Sequence, residues 1–334
     1  MRTLPLHRKQ KLCNITKFIT ALLVVNGHLF LFGNGNEELC RFMNLGECCV
    51  ALFYFFSGYG LTYSYITKGE KYLNGFFRKR LAKLIVPLIT AYAIAFPVYA
   101  FFKGPVQAET LLKTLYWGGP YLKFSWFVSE IIVIYILFYL AMKSGKSLFS
   151  RIVFLNAFIL VLMAVLFVTN QPLWYIVSLP GFIIGIWYCL YEHQIISVLT
   201  STRKTIFIIL SVSVWFICWQ WNLTGAHILP EYRFTVAARF ISIISFTIAI
   251  VLLMTTLREV KTLKYGIIFS SYYEIYLNQN TAFMLAAAMT VSFSKYWLIS
   301  YAILIPLAQA VHYLNNRVNL ILDRLPRNTS QSIS

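Results

Sequence analysis

The stretch that decides the fold is Ile15–Phe32, ITKFITALLVVNGHLFLF, an apolar run long enough to cross a bilayer but interrupted by Lys17 and His28. An ionisable side chain at mid-membrane costs roughly 2.5 to 3.5 kcal/mol on insertion scales, so each one marks a polar pathway or a site with a partner elsewhere. Lys17 and His28 are eleven positions apart, which at about 100° per residue returns to nearly the same helix face roughly 16 Å further along. The spacing therefore predicts that both look into one cavity. Each also has an ordinary reading. Lys17 lies near a helix end, where a lysine snorkels to the headgroups, and a membrane histidine also serves as an interhelical hydrogen bonder.

Composition places this stretch in its class. Of 334 residues, 59% are hydrophobic and 12% charged, with a mean hydropathy of +0.69. That is far from a soluble domain with about one quarter of its residues charged. The chain reads as an all-α, polytopic membrane protein forming a single domain over residues 1–334, with the lipid bilayer as its solvent. Ten spans are predicted, at about 15–33, 46–66, 84–102, 125–142, 152–169, 173–191, 205–221, 236–257, 266–290 and 296–316. The basic start, MRTLPLHRKQK, leads into a run too long for a signal peptide and without a small-residue cleavage site, so the first span is expected to stay.

The net charge of +18 would suggest nucleic acid in a soluble chain, but here the placement of the charges decides. Twenty-one Lys and Arg fall in the connections on the side of the N-terminus. Six fall on the other side: Arg41, Lys103, Lys113, Lys123, Arg233 and Lys295. The positive-inside rule then puts both termini in the cytoplasm, and no nucleic-acid partner is expected. Six cysteines show no CxxC or Cys/His spacing, so no metal is expected. A disulfide between Cys40 and Cys48 or Cys49 stays open.

The second span, CCVALFYFFSGYGLTYSY, follows the loop GNGNEELCRFMNLGE and holds Ser57 between Gly58, Gly60 and a run of aromatics. Its glycines allow close backbone approach, which serves helix packing. Ser57 is a candidate polar contact or nucleophile if a base lies beside it. Next comes GEKYLNGFFRKRLAKLIVP, with Arg78, Lys79, Arg80 and Lys83 at the inner end of the third span. Arg80 and Lys83 share a helix face one turn apart, which suits a multiply charged phosphate; a topology signal is the ordinary reading. No GKS/T phosphate loop accompanies them, which argues against ATP hydrolysis.

Taken together these motifs resemble the integral-membrane acyltransferase 3 family. Its first span is similar to LLVVNGH, with a basic residue, ten intervening positions and a histidine, as Lys17 and His28 stand here. Its second span is similar to FYFFSGYGL, and its third begins with a basic pair before a proline, like Arg80, Lys83 and Pro87. SWFVSEIIVIYILFY at 125–139, LPGFIIGIW at 179–187 and SSYYEIYLNQ at 270–279 follow in order. The resemblance implies a ten-helix core in a bacterial-type plasma or inner membrane. It implies transfer of an acyl group, acetyl in the usual case, from cytoplasmic acyl-coenzyme A to a hydroxyl of an extracytoplasmic or cell-envelope carbohydrate. His28 is then the catalytic histidine, and the Arg78, Arg80 and Lys83 cluster contacts the coenzyme A phosphates. A neutral imidazole suits removal of a hydroxyl proton at neutral pH. Two positions depart from the family pattern. Lys17 stands where an arginine is usual, and Gln279 stands where many members have a histidine, in the sequence Tyr276, Leu277, Asn278, Gln279.

Further intramembrane candidates are Glu130, Arg239, Glu274 and Tyr276. Burying each charge unpaired is expensive, so Glu130 or Glu274 is expected to pair with Lys17 or Arg239, for structure or to orient His28. Tyr272, Tyr273 and Tyr276, with Trp117, Gly118 and Gly119 of an outer loop, are sugar contacts or interfacial residues. The alternative function is a glycan transporter without chemistry, since polar groups inside a bundle serve translocation too. A glycan polymerase consuming a lipid-linked sugar is a third.

Overall fold

A computed structural model describes residues 5–32, 45–107, 109–110, 119–224, 232–257, 266, 268–290 and 292–324. Among them are ten long helices: α1 (Gln10–Phe32), α2 (Gly46–Lys68), α3 (Phe76–Lys103), α4 (Trp126–Ser144), α5 (Leu148–Val168), α6 (Pro180–Val198), α7 (Ser201–Thr224), α8 (Tyr232–Thr256), α9 (Tyr272–Met289) and α10 (Phe293–Arg324). Eight helical segments are long and apolar enough to cross a membrane; α2 and α9 are not among them. Helix α2 buries Tyr54, Tyr59, Thr62 and Tyr65, and α9 buries Glu274, Asn278, Gln279 and Thr281. Both are packed round by other helices, α2 by α1, α6 and α8, and α9 by α1, α3 and α10. A helix surrounded by protein has no need of a wholly apolar surface. The outer helices show the reverse. Helix α7 packs on α8 and leaves Ile206, Phe207, Ile209, Leu210, Phe216 and Ile217 exposed, an apolar surface of the kind that faces lipid.

Helix α3 starts eight residues before the expected span, at Phe76, with Gly75 ahead of it in the left-handed region at φ +66°. The Arg78–Lys83 cluster therefore lies on the first two turns of a helix, not in a loop. Pro87 inside α3 has no N–H, so the carbonyl of Lys83 lacks its intrahelical donor where both residues line a cavity.

A close backbone seam joins α2 to α6. A Cβ on Gly181 would overlap the carbonyl of Ala51, one on Gly185 the carbonyl of Phe55, and one on Gly58 the carbonyl of Phe182. Gly58 is thus a packing residue. Gly60, two positions on, has nothing within 4 Å of a built Cβ and lines the cavity. Cys48 and Cys49, buried in the same helix, are free thiols; Cys40 lies outside the described residues.

Charges tie the ends of the bundle. Lys9 is 2% exposed, and its ammonium donates to the carbonyls of Met254 (3.0 Å), Thr255 (3.0 Å) and Leu257 (2.8 Å) at the end of α8. A cation there satisfies carbonyls that the helix leaves unpaired. Glu192 of α6 accepts from the backbone N–H of Leu6 (2.6 Å) and from the Tyr59 hydroxyl (2.7 Å). Lys9→Met is expected to destabilise the protein by about 2 kcal/mol or more, seen as a lower melting temperature in detergent; an unchanged melting temperature would show the cap to be dispensable.

Candidate functional site

A cavity with a volume of about 820 Å³ lies at one end of the bundle. Its walls come from the start of α1 (Gln10, Cys13, Lys17), the second half of α2 (Ser57, Gly60, Ser64), the start of α3 (Arg80, Lys83, Pro87), the start of α9 (Tyr272, Glu274, Tyr276) and the end of α10 (His312, Asn315, Asn319). All of these are helix ends on the side that the basic loops assign to the cytoplasm.

Three cations face this space. Lys17 Nζ sits 5.0 Å from the ring centre of Phe56 and 5.2 Å from that of Tyr272, positions that stabilise a cation without a counter-ion. Arg80 donates to Ser64 Oγ at 3.2 Å and lies 5.3 Å from the Tyr72 ring centre. Lys83 is exposed on the wall. Among the described residues no carboxylate pairs with any of the three. Arg78 is exposed and is not among the lining residues, so the cluster contributes two of its three expected members. At the mouth the His7 ring stacks on Tyr63, with centres 4.4 Å apart. Burial holds the His7 imidazole below the usual histidine pKa, which keeps the stacked ring neutral.

The expected ion pairs are different from those found. Arg239 grips Glu47, with Nε 3.1 Å from Oε2 and Nη2 on Oε1. Both residues stand at the same end of their helices, so depth matched them. Glu130 accepts instead from the Tyr54 hydroxyl at 2.5 Å, and Glu274 meets His312 and Asn315. Lys17 pairs with neither acid because aromatic rings occupy its flanks. Of the three tyrosines, Tyr272 supports Lys17, Tyr273 donates to the carbonyl of Leu84, and Tyr276 to that of Phe124. Ser57 lines the cavity beside Tyr135, and among the described residues no histidine bonds to it. Trp117 and Gly118 lie outside the described residues.

His28 is not among the lining residues, which corrects the expectation that it shares one open cavity with Lys17. The cavity stops at Phe53, Phe127 and Tyr276. His28 stands one turn of α9 beyond Tyr276, its ring stacked on Phe124 with centres 3.7 Å apart. Its Nδ1 lies 2.7 Å from Gln279 Oε1. Gln279 Nε2 donates to the carbonyl of Tyr276 at 2.8 Å, and this fixes the amide. Its NH₂ faces the carbonyl, so its oxygen faces the ring and Nδ1 carries the proton. The lone pair is then on Nε2, for which no hydrogen-bond partner is found among the described residues. Gln279, visible in the sequence only as a departure, is the group that sets the tautomer of His28.

A family model described as the acyltransferase domain of the acyltransferase 3 family matches residues 13–322, from the first turn of α1 almost to the end of α10. The chain belongs to the acyltransferase 3 family. No curated protein and no solved structure matches it. An acyltransferase 3 protein with these helices is a multi-pass membrane acyltransferase, and the cationic cavity and the tautomer-set histidine are the parts of it with chemistry to offer. His312, missed in the sequence although it lies within the last predicted span, belongs with them.

Proposed function

We propose that the protein takes an acyl group, acetyl by the family resemblance, from cytoplasmic acyl-coenzyme A and delivers it to a hydroxyl of an extracytoplasmic or cell-envelope carbohydrate. The observation that carries this reading is the cavity itself: about 820 Å³ lined by Lys17, Arg80 and Lys83, with no carboxylate among the described residues paired with these cations. A donor with several phosphates supplies the missing negative charge. In this reading Arg80 and Lys83 hold the phosphates at the mouth, the His7–Tyr63 stack receives the flat purine, and Lys17 guides the acyl arm inward. His28 acts from the far side of the partition made by Phe127 and Tyr276. Its Nε2 takes the proton from the acceptor hydroxyl as the hydroxyl oxygen attacks the thioester carbonyl; the carbon–sulfur bond then breaks, and the thiolate takes that proton from His28 and leaves as free thiol. The two aromatic side chains must therefore part for donor and acceptor to meet.

Purified protein given acetyl-coenzyme A and acceptor glycan is expected to release free thiol. Surface glycans of cells with the chain should exceed those of cells without it by one acetyl unit. Acceptor that crosses the bilayer with no acyl donor, and with no thiol released, would instead make the protein a transporter. Arg80→Ala and Lys83→Ala are each expected to raise the KM for acyl-coenzyme A about tenfold with little change in kcat, the effect of losing one charge-assisted contact. An unchanged KM in both variants would remove the basic mouth from donor binding.

A further inference from the structure

The inner cavity holds a second chemical arrangement that the His28 reading leaves unused. Ser270 Oγ lies 3.1 Å from His312 Nε2. His312 Nδ1 lies 3.0 Å from Glu274 Oε2. Asn315, one turn after His312 on α10, donates from Nδ2 to Glu274 Oε1 at 3.2 Å, and its Oδ1 is 2.8 Å from the Thr90 hydroxyl. Ser270, Glu274, His312 and Asn315 all line the cavity. From the order of contacts we propose that Ser270, His312 and Glu274 form a nucleophilic acyl-binding site at the inner mouth, with Ser270 as the residue that becomes acylated.

The protonation pattern is self-consistent. A carboxylate facing Nδ1 keeps the proton there, and this leaves the Nε2 lone pair toward the serine hydroxyl. Glu274 Oε2 and His312 Nδ1 are both buried and neither has a well-aligned hydrogen bond. The 3.0 Å contact lies off the N–H direction; loose geometry of this kind is common before substrate binds. Glu274 is 3% exposed, so its charge is screened little. Asn315 holds it from the other oxygen. Ser270 closes a 3-10 turn directly before α9 (Tyr272–Met289), whose first N–H groups have no intrahelical acceptor and are available to a developing oxyanion.

The step balances as follows. Ser270 Oγ bonds to the carbonyl carbon of an acyl thioester while its proton passes to His312 Nε2. The tetrahedral adduct collapses, the carbon–sulfur bond breaks, and the thiolate takes the proton from His312 and leaves as free thiol. The acyl group remains as an ester on Ser270. A hydroxyl compound or water then reverses the sequence. Glu274 is a positioning residue in this scheme.

The test uses the full chain in detergent micelles, with two probes that carry no coenzyme A phosphates: a fluorescent fluorophosphonate and p-nitrophenyl acetate. Success or failure here is thus separate from donor recognition by Arg80 and Lys83 and from the role of His28. Peptide mapping of the quenched wild-type protein is expected to place one adduct on Ser270. S270A, checked as monodisperse by size exclusion, should lose that adduct, and H312A should slow its formation about 100-fold. E274Q should slow it less, with partial recovery in E274D. Wild-type protein that takes up neither probe, or takes them up on another residue, overturns the proposal. Labelling at the wild-type rate in E274Q would remove Glu274 from the site.

Discussion

His28→Ala is expected to lower acyl transfer by about two to four orders of magnitude while the protein remains folded, the usual span for loss of a general base. Replacement leaves Gln279 Oε1 without its partner at 2.7 Å and removes the ring stacked on Phe124. One unsatisfied buried acceptor costs about 1–3 kcal/mol, too little to unfold a bundle of ten helices. The defect should therefore appear in kcat, with the KM for acyl-coenzyme A nearly unchanged, because the cations proposed to hold the donor lie in a cavity His28 does not line. Gln279→Leu is the companion variant. It keeps the imidazole but frees its tautomer, so part of the population presents a proton where the lone pair is needed, and a smaller fall in kcat is expected. Thiol release with purified protein measures both. Turnover in H28A equal to wild type would take His28 out of the mechanism.

What the sequence made legible was depth and direction along each helix. The apolar runs gave the helices, and the one-sided Lys and Arg gave an end at which the cations gather. Neighbours were not legible. Arg239 finds Glu47 at its own depth, but no periodicity says that α8 lies against α2 there. Lys17 and His28 both turn toward α9, against Tyr272 and Gln279, but only the Lys17 end of that face lines the cavity. Helix geometry carries an azimuth over 16 Å; it does not say that empty space continues so far. At the depth of Lys17 the face meets the cavity. At the depth of His28 it meets Phe124 and Gln279. His312 was readable by the same rule that singled out His28, a titratable ring inside an apolar span, while its partners Ser270 and Glu274 lie some forty residues away on another helix.

The seam between α2 and α6 yields the other large effect. Gly181→Val is expected to destabilise the protein by about 3 kcal/mol or more, at or above the upper end of the overpacking range. The obstacle is backbone: a Cβ at 181 overlaps the carbonyl oxygen, carbonyl carbon and Cα of Ala51, atoms that no rotamer change can move. Relief requires sliding α2 as a unit, and α2 also carries Phe56, Ser57 and Ser64 to the cavity wall. Loss of monodisperse protein in detergent should therefore come with loss of donor binding in whatever protein remains folded. Gly60→Ala makes the contrast on the same helix. A Cβ there meets nothing within 4 Å, and replacing a helical glycine by alanine gains about 0.5–1 kcal/mol, so its melting temperature should hold or rise. Equal melting temperatures for the two variants would mean that the glycine seam is looser than its geometry states, and that α2 is placed by its other neighbours.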